Sequence, residues 1–223
     1  MLDQSIKEEL TNVFSKLFLE IELVYAKCDH QKQNELIEML LDLSQTSNYI
    51  KMKESSDIAP FPQFKIFLQG KETGISFLGI PGGHEFTSLI VAILNLQGLG
   101  KMPDENILLR IKNIKAPVRL RTYVSLSCET CPEVIQALNL MAAIHPDFKH
   151  QMIDGAFVED EIKNFAIQAV PSVMNGSTLI HAGKIELIDL ILKLEKTFGT
   201  SENKSANLNL GEFEVVVIGG VTA

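Results

Sequence analysis

The chain runs twice through one series of elements, and that repeat constrains its fold more than any single motif. In the first pass, IELVYAK (21–27) is a strand and Gln33 to Leu43 has helical apolar spacing, with Leu36, Ile37, Leu40 and Leu41 expected inward. YIKMK (49–53) is a second strand. FPQFKIFLQGKETGISFLG (61–79) is a strand pair around Gly70, and His84 to Leu96 is a closing helix. In the second pass, VRLRTYVSL (118–126) is a strand and Cys128 to Ile144 a helix, with Val134, Ile135, Leu138, Leu140 and Met141 on its apolar face. FKHQMID (148–154) is the next strand, and Glu159 to Ile167 a helix. VPSVMNGSTLIH (170–181) is a strand pair turning at Asn175-Gly176. Gly183 to Phe198 closes the pass as a helix carrying Ile185, Leu187, Ile188, Ile191, Leu192 and Leu194.

Tyr25 aligns with Tyr123, and Pro62 with Pro171. The distance from Tyr to Pro is longer in the second pass, so the helix at 159–167 has no counterpart in the first. Ser5 to Leu17 reads as an extra leading helix, and Pro103 to Ile114 as an extra helix between the halves. The fold class is therefore α/β, two fused copies in a pseudo-twofold repeat. The boundaries place the first half at 1–99, a connecting helix at 100–116 and the second half at 117–199. Residues 200–223 are a polar linker and then FEVVVIGGVTA. A buried strand running into Gly-Gly is how a dinucleotide-binding unit opens, but Val221 stands where the second glycine of that fingerprint belongs.

The second pass contains SLSCETCPEVIQAL (125–138), with Cys128 and Cys131 just ahead of Pro132. Three chemistries fit two cysteines at this spacing: a redox pair, half of a metal site, or two buried thiols. Tetrahedral zinc needs four sulfur or imidazole ligands. The chain has three cysteines, Cys28 being the other, and no second Cys-x-x-Cys; of its histidines only His145 and His150 approach a ligand-pair spacing. A redox pair needs the first cysteine at a helix N-terminus, where the dipole favours thiolate, and the second one turn in, within disulfide reach. Glu129, beside the first cysteine, opposes the thiolate modestly. Val170-Pro171-Ser172, at the start of the third strand, fits a cis-proline loop of thioredoxin-like folds, where the backbone before the proline pairs with a substrate chain. An ordinary trans proline at a strand start is the plainer alternative. In the first half His30 to Gln33 occupies the place of the motif without cysteines, which leaves Cys28 as a structural thiol. Phe61, Phe64 and Phe67 read as core or groove wall.

The strings TYVSLSCETCPEVIQALNLMAAIHPDFKHQMIDGAF and GIPGGHEFTSLIVAIL resemble the N-terminal domain of the F component of alkyl hydroperoxide reductase, over residues 1 to about 198. The resemblance implies two fused thioredoxin-like folds, a mixed sheet flanked by helices, with one redox centre in the second. It implies that Cys128 attacks, that Cys131 resolves, and that Glu85 lies near the pair as a tuning group or proton relay. Val170 and Pro171 are the implied substrate-binding residues. The implied function is thiol-disulfide exchange, carrying electrons from a flavoprotein reductase to a peroxiredoxin, the C component of alkyl hydroperoxide reductase. FAD and NADH are implied only for the flavoprotein portion, whose start the tail resembles; this chain is expected to bind no cofactor and no metal. A stand-alone glutaredoxin-like protein disulfide reductase and a non-catalytic docking module are the rival readings. Departures from the family pattern are Gly82 in Pro81-Gly82-Gly83, the pair Glu129-Thr130 between the cysteines, and a hairpin one residue shorter at Val170 to Gly176.

Twenty-eight acidic against 20 basic residues give a formal charge of -8, which argues against nucleic acid and an anionic membrane surface. No apolar run approaches a bilayer span, and MLDQSIKEELTNVF lacks the basic and apolar regions of a signal peptide. The expected location is the cytoplasm.

Overall fold

The structure, a computed structural model, describes residues 2–201; the apolar strand and Gly-Gly expected near the C-terminus lie outside the described residues. The elements run α1 (Gln4–Phe14), β1 (Ile21–Lys27), α2 (Gln33–Ser44), β2 (Ile50–Ile58), β3 (Gln63–Leu68), β4 (Lys71–Leu78) and α3 (His84–Asn95). They continue α4 (Glu105–Asn113), β5 (Val118–Val124), α5 (Cys131–Ile144), β6 (Phe148–Asp154), a 3-10 turn (Gly155–Phe157), α6 (Glu159–Asn164), β7 (Ser172–Asn175), β8 (Thr178–Ala182) and α7 (Leu187–Phe198). Helix α1 leads into β1 as α4 leads into β5, so the two helices that looked like extras are equivalent elements of the repeat. Helix α4 packs against α5 and α7, the helices of the second half. The 3-10 turn and α6 are the real insertion.

One mixed eight-stranded sheet runs through both halves in the order β2-β1-β3-β4-β6-β5-β7-β8. Within each half the first two strands are parallel and the next two are added antiparallel. The halves join through β4 and β6, parallel, with Ile75 opposite His150 and Leu78 opposite Ile153. The last strand of one copy thus meets the counterpart of the other's outer strand. The copies repeat head to tail along the sheet, and not about the twofold axis expected from the sequence. Hydrophobic periodicity marks which face of a strand is buried; it carries no information on which edge joins another unit.

The hydrogen bonds repeat as the strands do. The Gly79 N–H donates to the Pro62 carbonyl at 2.7 Å, and the Gly183 N–H to the Pro171 carbonyl at 2.8 Å. The Tyr25 hydroxyl donates to Glu54 at 3.4 Å, and the Tyr123 hydroxyl to Glu161 at 2.7 Å. Burial and Glu161 both push the Tyr123 hydroxyl well above the usual tyrosine range. Arg121 also reaches Glu161, at 2.9 Å, so β5 holds the inserted α6 by one acidic side chain.

The core is apolar and continuous across the seam. Val134, Ile135, Leu138 and Met141 of α5 are fully buried, and burying each contributes roughly 1.5–3 kcal/mol. On α2 the core residues are Leu36, Met39, Leu40 and Leu43, whereas Leu41, expected inward, is 44% exposed. On α7 they are Leu190, Ile191 and Leu194, whereas Ile188 and Leu192 face outward. Phe64 is buried and stacked on Phe77, which makes it core. No described helix is long and apolar enough to cross a membrane.

Candidate functional site

Strand β5 ends at Val124, two residues before the expected end, and a tight turn follows. The Cys128 N–H donates to the Ser125 carbonyl at 2.9 Å, and the Ser125 and Ser127 hydroxyls lie 3.0 Å apart. Helix α5 begins at Cys131, not at Cys128 as expected, because the turn closed by the Cys128 N–H and the Ser125 carbonyl comes between the strand and the helix. Cys128 and Cys131 are joined, with Cα atoms 5.5 Å apart. Cys131 is fully buried on the core side of α5, whereas Cys128 is half-buried at the surface. An attacking sulfur must meet an incoming disulfide and a resolving sulfur need only meet its neighbour, so this asymmetry matches the order in which exchange proceeds.

Two groups flank the Cys128 sulfur. The Thr130 hydroxyl oxygen lies 3.7 Å from it and the Val170 carbonyl oxygen 3.9 Å. The Val170–Pro171 bond is cis, as is Ala116–Pro117; the Pro62 bond in the first half is not. The Ser172 hydroxyl ties this loop back to the Ala169 carbonyl at 2.7 Å. The structure therefore brings four of the five sequence-derived site residues, Cys128, Cys131, Val170 and Pro171, close together.

The fifth, Glu85, comes from the first half. Residues 80–83 run against the redox turn, and a Cβ on Gly83 would stand 2.7 Å from the Leu126 carbonyl oxygen. Gly83 also has φ +53°, a conformation that disfavours other residues. Helix α3 starts at the next residue and packs along α5. Glu85 in its first turn is fully buried, and neither carboxylate oxygen has a full hydrogen bond among the described residues. Burial pushes its pKa up to about 7, with the Ser88 hydroxyl one turn on offsetting part of the rise. His84 beside it is exposed. Replacing Gly83 by alanine is expected to destabilise the fold by roughly 1–3 kcal/mol and to alter the alkylation rate of reduced Cys128, since Leu126 must move. Denaturant unfolding and a timed alkylation check both effects; a variant matching wild type in both removes the interlock.

The first half holds no second centre. Gln33 begins α2 as Cys131 begins α5; its amide N–H donates to the Ala26 carbonyl at 2.9 Å and its oxygen accepts from the Cys28 thiol at 3.0 Å. His30 stands in the position of Cys128 and packs its ring on Phe61 and on Phe157, which reaches across from the second half. The histidines weighed as metal ligands are engaged elsewhere. His145 contacts the Ile114 carbonyl at 2.9 Å, and His150, fully buried, sits between Asn139 and Thr122 at 2.7 and 2.9 Å. Burial drives the His150 pKa down to about 3. No group of three potential ligands forms among the described residues.

Two thioredoxin-like folds on one sheet, with a single half-exposed disulfide where a strand turns into a helix, define the class as thiol-disulfide oxidoreductase. Comparisons with known proteins specify it further. No family model matches. The chain is 36% identical over 220 residues to the F component of alkyl hydroperoxide reductase from Staphylococcus epidermidis and from Staphylococcus aureus, and 34% identical to that of Pseudomonas putida. These matches cover 99% of this chain and 42% of each relative. Among solved structures, an N-terminal domain of alkylhydroperoxide reductase from Enterococcus faecalis superposes with a TM-score of 0.80 at 25% identity, covering 87% of this chain and all of the other. A protein disulfide oxidoreductase from Aeropyrum pernix shares the fold, with a TM-score of 0.76 at 16% identity, covering 89% of this chain and 95% of the other. Over nearly its whole length the chain is similar to part of these F components, and its fold matches that of the N-terminal domain from Enterococcus faecalis.

Proposed function

We propose that this domain carries electron pairs from a flavoprotein reductase to the disulfide of a peroxiredoxin, the C component of alkyl hydroperoxide reductase. The observation behind the reading is the pair itself: Cys128 half-buried beside the Val170 carbonyl, Cys131 fully buried behind it, in a chain 36% identical to F-component relatives. In the reduced domain the Cys128 thiolate attacks the peroxiredoxin disulfide, forms a mixed disulfide and releases one peroxiredoxin thiolate. The Cys131 thiolate then attacks Cys128 and releases the second. The domain is left oxidised and the peroxiredoxin reduced by two electrons. A dithiol of the flavoprotein portion, supplied from NADH through FAD, reverses the oxidation by the same exchange. Val170 and Pro171 line the groove for the partner's chain, and Glu85 serves as the proton relay or tuning group.

The test mixes the reduced chain, freed of reductant, with an oxidised two-cysteine peroxiredoxin and follows both disulfides by alkylation and mass. Rapid reduction of the peroxiredoxin is the expected result. Fast reaction with glutathione disulfide or insulin, and none with the peroxiredoxin, points instead to a general protein disulfide reductase. No transfer to any of these leaves a docking module.

A further inference from the structure

We infer that the Thr130 hydroxyl is the donor that stabilises the Cys128 thiolate and so sets the nucleophilic fraction of the reduced pair at neutral pH. The inference rests on the redox reading of the site.

Thr130 is the residue immediately before α5, where a threonine side chain ordinarily accepts from the N–H groups of the first helical turn. Two other helices show the usual arrangement. Asp3 and Asp104 precede α1 and α4 in extended backbone, and their carboxylates accept from Ile6 and Ile107 at 2.9 and 3.0 Å. Thr130 does neither. Its backbone is at φ -96° and ψ -11°, it makes no capping bond, and its hydroxyl is turned to the Cys128 sulfur. A disulfide sulfur has no proton to give, so the hydroxyl is the donor. On reduction the same contact faces a thiolate, and a charged acceptor strengthens it.

The N-terminus of α5 favours the thiolate, whereas the carbonyl and carboxylates around this sulfur oppose it. The Val170 carbonyl presents lone pairs and favours the protonated thiol. Glu129, exposed in the same turn, adds a carboxylate. Glu133, in the first turn of α5, is paired with Lys184 at 3.0 Å. On the neighbouring α3 the titratable groups are Glu85, buried, and His84, exposed. Among the described residues Thr130 supplies the one side-chain hydroxyl in contact with the sulfur, which offsets that negative surround.

The experiment uses the full chain carrying Cys131→Ser, so that Cys128 titrates alone, combined with Thr130→Val or Thr130→Ser. Ultraviolet thiolate absorbance and alkylation rate are followed against pH. Thermal midpoints are measured on the oxidised chain with both cysteines intact. Thr130→Val is expected to move the titration to higher pH and cut the thiolate present at neutral pH about tenfold, the equivalent of one pH unit. Thr130→Ser restores it, and the oxidised Thr130→Val chain melts with wild type. An unmoved titration, or failure of serine to restore it, overturns the inference. A lower melting point for oxidised Thr130→Val does so too, because it returns the hydroxyl to an ordinary helix cap. None of these readouts needs a partner. A shifted titration without peroxiredoxin reduction therefore defeats only the functional proposal, and transfer with an unmoved titration defeats only the role of Thr130.

Discussion

Cys131→Ser is expected to capture the partner protein, and Cys128→Ser to abolish reaction with it. The reason is the unequal burial of the pair: Cys128 is half-exposed, while Cys131 has no surface at all. With Cys131 replaced, the Cys128 thiolate still attacks, but no second thiolate reaches the mixed disulfide. The adduct accumulates, and mass spectrometry under non-reducing conditions shows one domain joined to one peroxiredoxin. With Cys128 replaced, no adduct forms and transfer falls to background. The opposite pattern, an adduct through Cys131 in the Cys128→Ser chain, reverses the assignment of the two sulfurs.

Glu85→Gln is expected to stabilise the domain above neutral pH and to leave it unchanged in mild acid. Burial raises the Glu85 pKa from 4.5 to about 7, so the folded chain retains a proton that the unfolded chain has released. The unfolded state binds fewer protons across that interval, and stability must fall as pH rises through it. The stabilising contribution is complete below about pH 4.5 and fully lost above about pH 7. Spread over that interval, the loss is on the order of 3 kcal/mol. Glutamine keeps the shape and cannot ionise, so its unfolding free energy should be flatter with pH. Asp154 is raised by burial too and contributes with the same sign, so some slope remains in the variant. Parallel pH profiles for the two chains, measured by denaturant unfolding, are the outcome that defeats the assignment. If Glu85 also relays the proton of exchange, the pH dependence of transfer near 7 disappears in the same variant.

The redox turn was legible in the sequence because its chemistry is local. Cys128, Cys131 and Pro132 lie together, and the apolar run from Val134 to Met141 marks the buried face of α5. Pro171 could be paired with Pro62 because both follow strand series of the same type, and their carbonyls do accept equivalent bonds from Gly183 and Gly79. What escaped was set by contacts between distant segments. The approach of Gly83 to Leu126 joins the two halves, and the reach of Phe157 to His30 does so too. The hydroxyl of Thr130 was invisible because the expected helix began at Cys128 and placed Thr130 within its first turn, whereas α5 starts at Cys131. Leu41 was assigned inward because it sits one position from a true core residue on a helix with a wide apolar face; burial went to its neighbour Leu40.

The head-to-tail order of the strands leaves the sheet with unlike ends, β8 at one side and β2 at the other. In the repeat, β8 is the counterpart of β4 and β2 the counterpart of β6, the two strands that already pair. Each molecule therefore displays both halves of a joint that it uses internally, and a joint of that kind adds units without limit because it never closes. Among the described residues, the character of the two edge strands works against such stringing. β8 has five residues, and β2 carries exposed Lys51, Lys53 and Glu54, charges that a neighbouring strand would have to accommodate. Replacing Lys51, Lys53 and Glu54 by apolar residues is expected to raise association through these edges, read as a rise in apparent mass by light scattering.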